Sequence, residues 1–143
     1  MPKVLIVEDD KINREMIERM LSLNGYEVIS ASDGAKALAM ARTHIPDVII
    51  MDMGLPVLNG WQATYRLKAD ESTRRIPVIA LTAFTMSEDR TRCLAVGCDD
   101  YDVKPIEMTR LLTKLRVNLE RAAEGFVPDA PTLDPDMERQ VGG

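Results

Sequence analysis

Residues 48–60 read VIIMDMGLPVLNG, and this stretch decides the fold. Four apolar residues in succession, without polar alternation, are typical of a strand buried on both faces, as in a parallel sheet. The strand stops at an acid, Asp52, and Gly54, Pro56 and Gly60 mark a loop after it. A carboxylate at the carboxyl end of a buried strand stands where open α/β sheets gather their functional groups.

Four more stretches of strand length are separated by helical periods, at residues 3–7, 26–31, 77–81 and 99–103. Strands and helices in strict alternation predict an α/β fold. We expect a doubly wound, five-stranded parallel sheet with helices on both faces, because right-handed crossovers place helices on both sides. Two strand orders are common in such sheets, 2-1-3-4-5 and 3-2-1-4-5.

The composition is that of an ordinary globular chain and excludes several classes of function. The 143 residues are 45% hydrophobic and carry a net charge of −5, which argues against a direct nucleic-acid partner. The apolar runs are too short to span a membrane. With no export leader, Cys93 and Cys98 are expected to be reduced and buried, and the protein to be cytoplasmic. A single histidine, His44, leaves no recognisable zinc site.

A change in composition near the C-terminus divides the chain into two parts. Residues 1–123 hold all the predicted strands and helices, and we assign them to one domain. Residues 124–143 are acidic and rich in proline, without a helical or strand period, so we expect a disordered tail. A linker leading to another domain has the same composition.

Polar residues follow the strands at one edge of the predicted sheet. They are Glu8 and Asp9 after the first strand, Asp52 after the third, Thr82 after the fourth, and Lys104-Pro105 after the fifth. In the order 2-1-3-4-5 the first and third strands are neighbours, so the three carboxylates share one small pocket. Their mutual repulsion requires compensation, and oxygen ligands with room for water favour Mg²⁺.

Opposite the acids, Thr82 offers a hydroxyl and Lys104 a compact positive charge. A metal ion, a hydroxyl and an ammonium around one carboxylate form a receptor for a phosphoryl group. The carboxylate at the centre, Asp52, is the candidate nucleophile.

Other acids have simpler interpretations. Asp10 is expected to cap a helix or to be exposed. Asp99, Asp100 and Asp102 beside the fifth strand are expected to be solvated at the surface.

Four motifs in order carry a resemblance: VLIVEDD (4–10), IIMDMGLPVLNG (49–60), IPVIALTAF (76–84) and DYDVKP (100–105). From residue 3 to about 122, the chain resembles the receiver domain of response regulators in two-component systems. It is most similar to stand-alone receivers of the DivK type, through GCDDY (97–101) and through TAF followed by a methionine. The resemblance implies the flavodoxin-like sheet order 2-1-3-4-5.

The resemblance also implies the roles of the acidic residues. Asp52 accepts a phosphoryl group from a phosphohistidine on a sensor histidine kinase or a histidine phosphotransfer protein. Mg²⁺ is bound by Asp9, Asp52 and the backbone carbonyl of Gly54, and Glu8 acts through a water. Such a protein is not an enzyme beyond self-catalysed phosphoryl acceptance and slow autodephosphorylation.

The switch residues and the output surface follow from the same resemblance. Thr82 bonds the phosphoryl oxygen, and Tyr101 is the aromatic switch that turns inward. Lys104 pairs with Asp52 and then with the phosphate, and the bond to Pro105 is expected to be cis. Phosphorylation then alters the face of the fourth helix, fifth strand and fifth helix, roughly residues 87–122. That face controls binding to a downstream effector or kinase. The protein is expected to be a monomer or a phosphorylation-dependent dimer.

Several alternatives stay open at this point. A haloacid-dehalogenase-type phosphatase also uses an aspartate at a strand end, but it needs a second acid where this chain has Gly54. A flavodoxin-like cofactor carrier needs a Ser/Thr/Gly-rich loop where this chain is acidic. The chain could equally be a receiver fragment of a larger regulator or hybrid kinase, or an adapter that works without phosphorylation.

Overall fold

The computed structural model describes residues 1–83, 87–126 and 131, and of residues 87–90 the backbone alone. Strands and helices alternate along these residues. They are β1 (Lys3–Val7), α1 (Lys11–Leu23), β2 (Glu27–Ala31), α2 (Gly34–His44), β3 (Val48–Asp52), α3 (Gly60–Ala69), β4 (Val78–Thr82), α4 (Ser87–Val96), β5 (Asp100–Val103) and α5 (Met108–Ala123).

The strands form one parallel sheet in the order β2-β1-β3-β4-β5, which confirms the predicted topology. In the register of β1 and β3, Val7 lies beside Met51. The residues that follow these two, Glu8 and Asp52, therefore emerge next to each other at the carboxyl edge of the sheet.

Each face of the sheet is covered by its own apolar core. Helices α1 and α5 pack on one face, with Ile17, Leu21, Leu111 and Leu115 fully buried. Helices α2, α3 and α4 pack on the other face, where Ala37, Ala63, Leu67, Cys93 and Val96 are buried. The central strands β1, β3 and β4 are thus covered on both sides, which explains their continuous apolar sequences, whereas the edge strands β2 and β5 are partly exposed.

The apolar residues of α1 form two stripes, of which only one enters the core. Ile17 and Leu21 are buried, whereas Ile12, Met16 and Met20 are largely exposed. The helical period read from the sequence is therefore correct for the element, but it does not distinguish the buried stripe from the exposed one.

A close backbone approach places α3 directly under the end of β3. The Gly60 amide donates to the Met53 carbonyl at 3.1 Å. A Cβ at Gly60 would lie 2.3 Å from the Asp52 carbonyl oxygen, so this position accepts no side chain. Asn59 and Gln62 then close the first turn of α3 with a capping box. The loop after Asp52 is held close to the site by these contacts.

Lys68 is buried, and its ammonium ties α3 to the start of β4 and to the segment before β5. The side chain is inaccessible to solvent, and Nζ donates to the carbonyls of Arg74 (3.1 Å) and Ile76 (2.8 Å) and to Asp99 Oδ2 (2.7 Å). Asp99 Oδ2 also accepts from the Val78 amide at 2.8 Å. Burial lowers the pKa of the Lys68 ammonium, and the charge of Asp99 opposes that shift.

The expectation that the acids beside β5 are solvated is wrong for two of them. Asp99 pairs with buried Lys68, and Asp102 is 2% exposed and accepts from Arg110 Nε at 2.6 Å. Asp100 is half-buried and accepts from Asn118 Nδ2 at 3.1 Å. The cause in each case is a cation or amide that is distant in sequence.

Helix α5 ends in a cap that includes the first residues of the predicted tail. The amides of Gly125 and Phe126 donate to the carbonyls of Ala122 and Arg121, and the Arg121 guanidinium lies 4.3 Å from the Phe126 ring centre. The remainder of the predicted disordered tail, apart from Pro131, lies outside the described residues. Within the described part of the chain, no helix combines the length and apolarity needed to cross a bilayer.

Replacement of Lys68 by methionine should lower the free energy of unfolding by about 3–5 kcal/mol, because Asp99 and two carbonyls lose a buried partner. Urea denaturation measures this change. The double variant Lys68→Met/Asp99→Asn should recover part of the loss, since it also removes the buried negative charge. Arg42→Met is the matched control: it breaks the exposed Arg42–Asp70 pair (3.1 Å) and should barely alter stability. An equal effect of the two single substitutions would contradict this account.

Candidate functional site

Three carboxylates meet at the carboxyl edge of the sheet. One ligand oxygen from each of Glu8, Asp9 and Asp52 lies within 4.8 Å of the others. Glu8 and Asp52 are 5% and 4% exposed, whereas Asp9 faces solvent. The cluster is therefore closed on the protein side and open to water on the other.

Glu8 is held by the neighbouring β2 and α1. Its amide donates to the Ala31 carbonyl at 3.1 Å, which continues the sheet by one residue. Asn13 Nδ2 donates to Glu8 Oε1 at 3.3 Å, and Arg14 Nη1 donates to the Glu8 carbonyl at 2.9 Å. Asp10 caps α1 by accepting from the Asn13 amide, so the helix begins where it can hold Glu8.

Asp52 lies between a backbone donor and a cation. The Gly54 amide donates to Oδ1 at 3.0 Å, and Lys104 Nζ donates to Oδ2 at 2.8 Å. Lys104 is positioned by its own backbone, because its amide donates to the Thr82 carbonyl at 2.9 Å. The peptide bond between Lys104 and Pro105 is cis.

The carboxylates shift one another's protonation. Burial raises the pKa of Glu8 to about 7, and the hydrogen bond to Asp52 and its charge add to the shift. Burial acts to raise the pKa of Asp52 as well, but the hydrogen bonds from Glu8, Lys104 and Gly54 hold it below its usual value. Asp52 in turn raises the pKa of Lys104 against the effect of burial. Near neutral pH, a proton on Glu8 therefore bridges to ionised Asp52.

A divalent cation fits this donor set. Three carboxylates face one ammonium, and no donor among the described residues meets the buried Oε2 of Glu8. Hard oxygen ligands with an open, solvated side are what Mg²⁺ accepts, since it keeps several waters. Gly54, whose carbonyl is a further predicted ligand, follows Asp52 by two residues, and its amide donates to the Asp52 carboxylate. A phosphatase of the haloacid-dehalogenase type would need a second carboxylate at this position, and glycine has none.

A cleft of about 220 Å³ opens on the other side of Asp52. Thr82, which is 4% exposed, and Lys104 line it together with Asp52, as the sequence predicts. Tyr101 lies farther along β5, half-buried against the core beneath α4, and accepts at its carbonyl from Lys114 Nζ. The structure thus brings the acids, Thr82 and Lys104 together. Tyr101 pairs with Ala80, two residues before Thr82 along β4.

Sequence reasoning missed two features of this site. Asn13 contacts Glu8 from the first turn of α1, and a polar residue five positions after a strand-end acid could have indicated it. Arg92 and Trp61 form part of the cleft wall, with the guanidinium carbon 4.5 Å from the ring centre. A lone arginine on α4 has no period or motif that points to the cleft.

Comparison with known proteins agrees with this geometry. A family model described as the response regulator receiver domain matches residues 4–116. The polar-differentiation response regulator DivK of Brucella anthropi is 43% identical over 117 residues, which cover 81% of this chain and 95% of that protein. DivK of Brucella ovis is 42% identical over 113 residues, covering 79% and 92%.

Solved structures agree as well. A receiver domain of a sensor histidine kinase from Pseudomonas aeruginosa, with magnesium coordinated in its active-site cleft, is 40% identical with a TM-score of 0.77. The similarity covers 83% of this chain and 98% of that one. A chemotaxis response regulator of Vibrio cholerae is 36% identical, with a TM-score of 0.78, and covers 82% and 98%.

The sheet order and the acidic strand-end pocket define a protein of the CheY-like receiver class. The chain belongs to the response regulator receiver domain family of two-component signalling, and it is similar to DivK. Receiver domains bind Mg²⁺ at an acidic pocket and generally transmit signals without being enzymes. They interact with histidine kinases or phosphotransfer proteins and with downstream targets.

The raised pKa of Glu8 predicts how the stability of the metal-free protein depends on pH. The folded state keeps the Glu8 proton up to about pH 7, whereas the unfolded chain releases it near 4.5. The stabilising contribution of this proton is therefore complete below about 4.5 and is lost as pH rises to about 7. Urea denaturation in EDTA should show that Glu8→Gln lacks this loss. Parallel pH profiles for the variant and the wild type would refute the shift.

Proposed function

We propose that this protein is a response regulator whose Asp52 takes a phosphoryl group from a phosphohistidine. The donor is a sensor histidine kinase or a histidine phosphotransfer protein. The single observation that carries the proposal is the setting of Asp52: its carboxylate is fixed between the Gly54 amide and the Lys104 ammonium and borders the 220 Å³ cleft.

The transfer follows from that arrangement. An oxygen of ionised Asp52 attacks phosphorus, the phosphorus–nitrogen bond of the donor breaks, and the imidazole leaves with the electron pair. The low pKa of Asp52 keeps the nucleophile ionised. Lys104 and the Thr82 hydroxyl lie at the cleft to contact the phosphoryl oxygens as charge builds on them.

Asp9, Asp52 and the Gly54 carbonyl would hold Mg²⁺, with Glu8 acting through a water. The ion supplies positive charge that offsets the negative charge of the phosphoryl oxygens. The buried Oε2 of Glu8 supports this assignment, because once Glu8 has lost the proton that it shares with Asp52, a cation or its water would supply the partner of this oxygen.

Phosphorylation then changes the output face formed by α4, β5 and α5. Thr82 lies at the end of β4 and Tyr101 in β5, so a shift of Thr82 toward the phosphate and an inward turn of Tyr101 affect one continuous surface. Differential contacts of the phosphate in two pre-existing states set the size of such a shift. This face binds a downstream effector or kinase. The protein acts as a monomer or as a phosphorylation-dependent dimer.

The remaining assignments belong to the same proposal. Residues 1–123 constitute the receiver domain and residues 124–143 an acidic, proline-rich tail. The protein acts in the cytoplasm, and its own catalysis is limited to phosphoryl acceptance and slow autodephosphorylation.

Asp52→Asn should abolish labelling by acetyl phosphate or a phosphorylated kinase, because the amide is a poor nucleophile. Mass spectrometry or gel mobility on phosphate-binding acrylamide measures the label. Asp10→Asn is the matched control: asparagine also caps a helix, and Asp10 lies beside the pocket without belonging to its acid cluster. Asp9→Ala should weaken Mg²⁺ binding and reduce labelling sharply. Full labelling of Asp52→Asn would show that another residue is the acceptor.

The output face is tested by amide chemical shifts on addition of beryllofluoride, which stands in for the phosphoryl group. We expect changes at residues 94–97 and at Tyr101, which do not line the cleft and therefore report movement of α4 and β5. The matched comparison is Thr82→Ala, in which distant changes should shrink while those next to Asp52 persist. Changes confined to the neighbours of Asp52 in the wild type would exclude this face.

A further inference from the structure

The wall of the phosphoacceptor cleft contains a second cation that the proposed function does not use. Arg92, on α4, lines the same cleft as Asp52, Thr82 and Lys104. Its guanidinium carbon lies 4.5 Å from the centre of the Trp61 ring, and Trp61 itself is buried at the start of α3. This stack joins α4 to α3 at the wall of the cleft.

We propose that Arg92 is a contact residue for the phosphoryl group on Asp52, held against Trp61 until that group is present. The proposal rests on the phosphorylation of Asp52. It assigns to α4 a direct bond to the phosphate, in addition to the indirect path through Thr82 and Tyr101.

The charge balance of the cleft supports this role. Of the described residues that line it, Lys104 and Arg92 carry positive charge, and Lys104 is already bonded to Asp52. A phosphoryl group brings about two negative charges and three strong acceptor oxygens to a site that also holds Glu8 and Asp9. One ammonium with three donors does not satisfy these oxygens, whereas a guanidinium adds a planar pair of donors.

The direction of the side chain fits as well. Side chains on a helix lean toward its N-terminus, and the N-terminus of α4 lies at the carboxyl edge of the sheet, beside the cleft. Arg92 thus leans toward the site, while the next residue, Cys93, is buried in the core.

The C-terminal end of α4 is held by a cap, so that a displacement of Arg92 toward Asp52 would change the position of the N-terminal part of the helix. Gly97 has a φ of +103°, and the Cys98 amide donates to the Cys93 carbonyl at 2.9 Å, which is a Schellman cap. Val96 and Cys98 are buried beneath it.

Stacking on Trp61 suits a residue that must wait and then move. A guanidinium binds an aromatic ring through its face and a phosphate through its edge, so the stack on Trp61 orients the group through a different part of it from the one that binds a phosphate. When the phosphate draws Arg92 toward Asp52, the charge over the indole changes. Trp61 is the one tryptophan of the chain, so tryptophan emission arises from this ring alone, and comparison with the Arg92 variants isolates the contribution of Arg92.

The test is a beryllofluoride titration with Mg²⁺, followed by Trp61 emission and, independently, by fluorine NMR of bound beryllofluoride. In the wild type, emission should change as beryllofluoride binds. In Arg92→Met the affinity for beryllofluoride should fall about tenfold, the value of one charge-assisted hydrogen bond, and the emission change should disappear. Arg92→Lys should recover part of the affinity. Mg²⁺ affinity without beryllofluoride should stay at the wild-type value in both variants.

Arg42→Met, which removes an arginine of the exposed Arg42–Asp70 pair, is the matched control and should titrate like the wild type. Wild-type affinity in Arg92→Met and in Arg92→Lys would overturn the role of Arg92 and leave phosphorylation of Asp52 standing. A wild-type protein that gives no bound fluorine signal would overturn the proposed function and, with it, this inference. Circular dichroism checks folding, and Arg92→Lys carries the test if the methionine variant is unfolded.

Discussion

The excess of negative charge at the carboxyl edge of the sheet is the constraint on which the other features of the site depend. Two carboxylates are buried beside each other with a third at the rim, and a single ammonium opposes them. The protein tolerates this arrangement because Glu8 retains its proton toward neutral pH while Asp52 stays ionised. A bound cation, an added phosphate or a change of pH therefore alters the protonation of Glu8 and the charge around Asp52 at the same time.

The backbone around Asp52 preserves this balance by leaving the carboxylate little freedom. The close approach of Gly60 folds the following loop back under β3, and the Gly54 amide meets one carboxylate oxygen. Lys104 reaches the other oxygen from a loop that begins with a bond to Thr82. The Asp52 carboxylate is thus held at both of its oxygens, and Arg92 of α4 lines the same cleft.

The fold and the acid pocket could be predicted from sequence because both depend on local signals. Continuous apolar strands specify a parallel sheet, and an acid directly after each of two strands is visible in the chain itself. Strand bounds differed by one residue at β2, β3, β4 and β5. Ion pairs between residues that are distant in sequence were not predictable. Asp99 has the sequence setting of a surface acid, and its partner Lys68 lies 31 residues away. Arg92 lies in the cleft wall against Trp61, and no pattern in the sequence indicated this contact.

The burial of Lys68 has a consequence for how related chains diverge. Its stem occupies the space where a Cβ at Gly97 would stand, since that atom would lie 2.8 Å from Lys68 Cγ, and its charge requires Asp99. Loss of the lysine leaves the Asp99 carboxylate without its cation and leaves a cavity beside Gly97. Replacement of the glycine by any other residue causes a steric clash with the Lys68 side chain. We infer that positions 68 and 99 change together, whereas the φ of +103° at Gly97 requires a glycine there independently of Lys68.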